Sequence, residues 1–510
     1  MTPRSRILFI MLGGLLGLAT VVGSSLRPDR RPNLVLIVVD TLRADALSKS
    51  AGTAETPAFD ALQADGVVFR QAFAHAPLTV PSHAAIFSSR LPHENGVRSN
   101  GQFVGTDLPL LAEHLAGEGY ATAAAVSLAT LWPNEKLRGL DRGFEHFDTG
   151  ERMVARSFDV LPRIRQALDA AHQDERPFFL FAHFSDPHEP YCSYEGPERT
   201  AQLSLDDTAL AEVSTSRATD WQRSISFTPG THHFRIAAGE EFKLRQFALK
   251  DARGDLSWEL TEGGLLEAGR SVTIRITNPR VVPVTAQLRA WVNDVPTLSE
   301  IRARYVAEVE AVDRAVGELV AELKERGIYD SSLIVLTSDH GEGLGEHGII
   351  GHAVQLYDEV LRVPLVMKLP YSARPAHLAR ATGTLVRHKD LAPTLLREMD
   401  VSRIPGATGR PIENTSPRIL LAEAHPPEAP QPILAMRDNE YKLIFFADDD
   451  RFEQFYLPTD PLELDNVFLH QGHLRSTWQI DLRRLAREGH EEQTEGLSED
   501  VASRIKALGY

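Results

Sequence analysis

Three segments of this chain place acidic and histidine residues directly after an apolar run. Asp40 closes the run 34–39, Asp186 and His188 follow 177–184, and Asp339-His340-Gly341-Glu342 follows 333–337. Carboxylate and imidazole groups from separate strand ends are a common way to hold a divalent metal. A fourth segment, Leu78-Thr79-Val80-Pro81-Ser82-His83-Ala84-Ala85, reads as the start of a helix. The free N–H groups of a helix start favour anions. A hydroxyl held there beside a metal can be activated as a nucleophile. Taken singly, each residue has a plainer reading: Asp40 as a cap or ion-pair partner, Thr79 or Ser82 as an N-cap.

The elements that must position these groups are also visible. The runs 34–39, 177–184 and 333–337 are continuous and rich in β-branched or aromatic residues, as suits strands buried on both faces of a parallel sheet. Between them lie helical patterns. The clearest takes Ser299 as its N-cap, carries Tyr305, Val309, Val312, Val316, Leu319 and Leu323 on one face, and stops at Gly327. Strands alternating with helices predict an α/β sheet, with ligands beyond the carboxyl ends of the strands.

The stretch 200–296 differs. Val272, Ile274 and Ile276 alternate with polar residues, and so do Leu288, Ala290 and Val292. That predicts an antiparallel β-module inserted into the α/β domain. The pair His232-His233 within it reads as surface. Beyond it, 386–399 reads as a helix, 443–446 and 455–457 as short strands, and 499–508 as a terminal helix. The expected organisation is 1–32 as a signal peptide or signal anchor with its linker, 33–199 and 297–385 as the catalytic domain, 200–296 as the module, and 386–510 as an α+β subdomain.

The chain has 510 residues, with 54 Lys+Arg against 70 Asp+Glu, a net charge of −16. An acidic surface argues against nucleic acid as a partner. One cysteine, Cys192, excludes an internal disulfide framework and a four-cysteine zinc site. Arg4 and Arg6 precede an apolar run at 7–22 and small residues at 23–25, the pattern of a secretory signal or a single membrane anchor. The expected location is outside the cytoplasm: periplasmic, secreted or membrane-anchored. Oligomeric state is not legible.

In order and spacing these segments resemble the sulfatase branch of the alkaline phosphatase superfamily. The likeness runs from about Arg31 to Tyr510, with the module as an interruption. Asp40-Thr41-Leu42-Arg43, Thr79 to His83, Ser338-Asp339-His340-Gly341-Glu342, Gly351-His352, Arg362-Val363-Pro364 and Asp390-Leu391-Ala392-Pro393-Thr394 carry it. The resemblance implies a large α/β domain with a mixed, mostly parallel sheet sandwiched by helices. It also implies Asp40, Thr79, Asp339 and His340 as ligands of one divalent ion, Thr79 at the nucleophile position, His188 near the leaving group and His352 near an anion-binding position. Ser82, His83 and His183 are the substrate-binding candidates. The donor mix favours Zn²⁺ or Mn²⁺ over Ca²⁺ or Mg²⁺. A second zinc would call on His183, His347 or His388, whose spacing differs from that of two-zinc relatives.

The departures from the family pattern bear on mechanism. Sulfatases carry Cys or Ser at the Thr79 position, where oxidation of the CH₂ group gives an aldehyde; threonine would give a ketone. His83 stands where the family has arginine, Thr41 where it has a second aspartate, and Val126 and Leu128 where it has lysine and histidine. The expectation is a metal-dependent hydrolase of sulfuric or phosphoric esters with a threonine nucleophile. The alternatives are a phosphoryl transferase acting on envelope lipid or glycan, and a catalytically silent binding protein of the same fold.

Overall fold

The computed structural model describes residues 31–488, apart from 48–53, 134–138, 174–175, 190, 192–198, 216–218, 252–253, 263–267, 295, 373–375, 414–416 and 427–430. The apolar run at 7–22, Cys192 and the helix expected at 499–508 lie outside the described residues. Among the described residues no helix is long and apolar enough to cross a membrane.

A seven-stranded sheet forms the centre, in the order Val67–Val68, Leu365–Lys368, Ser332–Thr337, Asn33–Val39, Phe178–Phe184, Ala121–Ala125, His146–Asp148. The strands from Ser332–Thr337 to His146–Asp148 run parallel; Leu365–Lys368 pairs antiparallel with both of its neighbours. The side chains of Asn33–Val39 alternate between two cores, because successive residues of a strand point to opposite faces. Leu34, Leu36 and Val38 join the core packed with Phe87, Leu111 and Leu391. Val35, Ile37 and Val39 join the core packed with Phe59, Ile164 and Val312. The helices Thr79–Ser88, Leu111–Gly117 and Leu391–Glu398 thus cover one face, and Pro57–Asp65, Ser157–Ala171 and Leu298–Glu325 the other. This is the expected α/β sandwich.

The three parallel strands Ser332–Thr337, Asn33–Val39 and Phe178–Phe184 are adjacent, and each runs directly into one of the polar segments. Parallel direction and adjacency bring those segments to one edge of the sheet.

Strands between Thr200 and Asp294 build a separate seven-stranded antiparallel sheet around the long strand Gly230–Asp251, with its own core of Phe227, Phe234, Phe242, Ile274 and Leu288. His232 is buried there, with Nδ1 2.6 Å from the Asp206 carboxylate. Of the His232-His233 pair only His233 is exposed, since neighbours in a strand face opposite ways.

Two helix starts differ from the sequence reading. The long helix is Leu298–Glu325, capped by Thr297, whose hydroxyl accepts the Glu300 N–H while Glu300 reaches back to the Thr297 N–H. That reciprocal arrangement satisfies two N–H groups, more than Ser299 could from inside the turn. The stretch 386–399 is not one helix. Val386–Arg387 pairs with Ala72–Phe73, and the helix begins at Leu391. Pro393 explains this: a helix begun at 386 would place its ring against the carbonyl of residue 389. The final sheet, Leu420–Ala424, Ile433–Arg437, Tyr441–Phe446 and Arg451–Tyr456, is antiparallel and covered by the helix Ser476–Glu488 through Trp478 and Leu482.

Candidate active site

Asp40, Thr79, Asp339 and His340 are all fully buried at the shared strand edge. Asp40 follows the first strand. Thr41, after it, takes a left-handed backbone at φ 58°, a strained conformation for a β-branched residue. The turn is held from two sides. Tyr305 donates its hydroxyl to the Thr41 carbonyl at 2.8 Å and accepts the Arg43 N–H at 2.8 Å. Ser338 Oγ accepts the Leu42 N–H at 3.0 Å, and Asp339 Oδ1 accepts the Thr41 N–H at 3.3 Å. The strand ends that carry Asp40 and Asp339 are therefore stitched directly together.

Thr79 opens a helix, Thr79–Ser88, in which every residue is buried. Its hydroxyl donates to Asp40 Oδ2 at 3.3 Å. Asn100 Oδ1 accepts the Val80 N–H at 2.9 Å and fixes the helix start. One turn on, His83 Nδ1 lies 2.8 Å from the Thr79 carbonyl. The carbonyl can only accept, so Nδ1 carries the proton. His340 Nδ1 likewise donates to the Gly341 carbonyl at 3.0 Å, which leaves its Nε2 as the lone-pair atom.

His183 shares a sheet face with Phe179 and Phe181, the face that carries the helix Thr79–Ser88. Its ring centroid lies 5.1 Å from that of His83, and its Nδ1 meets Ser127 Oγ at 2.8 Å. Ser82 donates its hydroxyl to the Ala76 carbonyl at 2.8 Å and so closes the turn ahead of the helix. His352 packs beside His340 and His188 beside His352: the ring centroids of His352 and His340 are 4.5 Å apart, those of His188 and His352 5.2 Å. His352 Nδ1 is 2.9 Å from the Glu342 carboxylate. His347 lies apart, stacked on Tyr357 and bonded to Glu359 and the Glu463 carbonyl.

Burial pushes the Asp40 carboxyl well above the usual carboxylate range, and the neighbouring Asp339 adds to this. Burial pushes Asp339 the same way, but His340, His83 and His183 outweigh it and hold it below that range. Burial takes His340 down to about 4 and His388 down to about 3, and keeps His83 and His183 low as well. It also lowers His188, with His352 adding to the effect. His352 departs from this trend, because Glu342 overcomes burial and raises it.

Asp40 Oδ1, Asp339 Oδ2 and His340 Nε2 are buried polar atoms with no hydrogen-bond partner. Each such atom costs about 1–3 kcal/mol if nothing engages it. Ligand atoms of these three residues lie within 4.8 Å of one another. Two carboxylates and a neutral imidazole, all facing inward, are a donor set that suits a divalent cation.

The sequence does not single out Tyr305 and Ser338 as positioning groups. Tyr305 appears in the sequence only as one more member of an apolar helix face, although its hydroxyl sets it apart from the aliphatic residues around it. Ser338 carries no local signal.

The sequence model of the sulfatase family matches residues 32–401. An N-acetylglucosamine-6-O-sulfatase from Bacteroides thetaiotaomicron is 24% identical, over 89% of this chain and 85% of its own length. Among solved structures, a protein in complex with its substrate D-glucosamine-2-N,6-O-disulfate superposes with a TM-score of 0.58 at 18% identity, over 91% of this chain and 99% of that one. The phosphonate monoester hydrolase of Agrobacterium radiobacter gives 0.55 at 19%, over 90% and 96%. At these identities the superpositions establish the shared fold.

Proposed function

We propose a function from one premise: this chain belongs to the sulfatase family, whose sequence model spans residues 32–401. It is a hydrolase of sulfate or phosphate esters in which Thr79 is the nucleophile and Asp40, Asp339 and His340 hold a divalent metal beside it. Zn²⁺ or Mn²⁺ suits this mixed nitrogen and oxygen set. The observation that carries the reading is the Thr79 hydroxyl at a helix start, 3.3 Å from Asp40, beside two inward-facing buried carboxylates.

A bound divalent ion supplies positive charge that acidifies a nearby hydroxyl and offsets charge on the ester oxygens. The chain does the rest. Asp40 accepts the Thr79 proton and orients Oγ1. That oxygen forms a bond to sulfur or phosphorus as the bond to the ester oxygen breaks. The departing oxygen takes its proton from the His188–His352 side, a contribution typically worth about 10²–10⁴-fold. Water then cleaves the Thr79 ester and releases the inorganic anion. An aldehyde-hydrate route is closed at this position, since oxidation of threonine yields a ketone. The relatives' sulfated-sugar substrates favour sulfate esters as the first substrate class, and the basic-then-apolar N-terminal segment supports a place outside the cytoplasm.

The test is turnover of nitrophenyl sulfate, phosphate monoester and phosphodiester by the metal-loaded protein. Thr79→Ala should lose on the order of 10³-fold or more in kcat with the fold intact by circular dichroism. Mass spectrometry of quenched wild type should find a sulfuryl or phosphoryl adduct on Thr79. Full activity in Thr79→Ala would remove Thr79 from the mechanism.

A further inference from the structure

By sequence, His83 and His183 are substrate-binding candidates. Their geometry points elsewhere. His83 donates its Nδ1 proton to the Thr79 carbonyl at 2.8 Å, which leaves Nε2 outside that bond. That Nε2, the Nε2 of His183 and Oδ2 of Asp339 are all buried without a hydrogen-bond partner. Ligand atoms of these three residues lie within 4.8 Å of one another, and all three side chains are fully buried.

We infer that His83 and His183, together with Asp339, form a second divalent-cation site beside the Asp40–Asp339–His340 site. The inference rests on the metal reading above through the shared Asp339. Three buried polar atoms that converge without partners are costly to keep, and a cation engages all three residues at once. Two imidazoles with one carboxylate favour zinc over magnesium or calcium. The site is built by two unrelated elements. His83 stands one turn into the nucleophile helix, and His183 sits on the sheet face beneath it. Carboxylate-bridged metals about 3.5–4 Å apart are a known way to clamp both oxygens of an in-line displacement. Asp339 Oδ2, common to both groups, is the atom placed to bridge, since Oδ1 already accepts the Thr41 and His340 N–H groups.

The test is zinc content and position. Crystals of the zinc-loaded wild-type chain, measured on both sides of the zinc absorption edge, should show two anomalous peaks, one of them flanked by His83 and His183. Elemental analysis should give two zinc ions per chain, falling to one in His83→Ala/His183→Ala and to one in His340→Ala. A single peak bound through Asp40, Asp339 and His340, with zinc content unchanged in the double variant, would overturn the second site and leave the first standing. A single ion ligated by both sets would also overturn it. No zinc in the wild type would overturn the second site, and failure to take up manganese as well would overturn the first. The diffraction result needs no variant, so a double variant that fails to fold does not decide the question.

Discussion

The α/β body and the 200–294 sheet treat charge in opposite ways. In the body, acidic and histidine side chains are buried together at the strand ends, and several inward-facing atoms there have no hydrogen-bond partner. In the inserted sheet, among the described residues, no buried polar side-chain atom is left without a partner. Its charges meet in cross-strand pairs open to water, such as Arg275 with Glu259 at 2.5 Å, or are covered by local bonds, as where Ser271 and Thr273 donate to Glu262 at 2.7 and 2.9 Å. Both regions have well-packed cores, so packing does not distinguish them. What distinguishes them is where polar groups have been desolvated without mutual satisfaction. That arrangement is costly and is kept where a ligand completes it.

The body also buries charge that is satisfied internally, and this sharpens the contrast. Asp390 and Arg418 are both completely buried and 2.6 Å apart, with Arg387 bonded to the same carboxylate at 2.9 Å. Arg418→Met should destabilise the protein by about 3–5 kcal/mol, because it strips a buried carboxylate of a partner; denaturant unfolding at neutral pH measures it. A loss no larger than that of a surface pair would break the contrast.

The pH dependence of that loss gives a smaller effect. Burial alone would raise Asp390, but Arg387 and Arg418 outweigh it and hold the carboxyl below its ordinary value. A depressed folded-state pKa contributes stability above the unfolded value of about 3.9, and that contribution disappears as pH falls through the folded value. The gap between wild type and Arg418→Met should therefore be full at pH 7 and shrink below about pH 4. A gap that widens on acidification would contradict the assignment.

Smallest of all should be Glu259→Ala in the inserted sheet. Both members of its pair are about half exposed, so the change should cost no more than about 1 kcal/mol and leave ester turnover unchanged.

Much of the body was readable because its strands are unbroken apolar runs and because polar residues follow them at once. The inserted sheet was readable from strict alternation, as in Val272, Ile274 and Ile276. Helix starts were harder. Thr297 and Ser299 are both capable caps, and only the reciprocal bond with Glu300 decides between them. The meeting of His83 with His183 depends on a sheet face and a helix turn that are a hundred residues apart in the chain. Residue parity puts His183 on the face of Phe179 and Phe181, but which helix covers that face is a tertiary fact. The Nδ1 proton of His83 is held by a carbonyl one turn away, which no residue type encodes.

The 200–294 sheet leaves and rejoins the body through a narrow gate. Arg199, just before its first strand, donates to Glu300 in the first turn of the long helix at 2.8 Å. Entry and exit are thus one ion pair apart, the situation in which insertions are best tolerated. A short turn could close the same gap. The α/β body can therefore exchange this appendage for another, or discard it, without rerouting a single core strand.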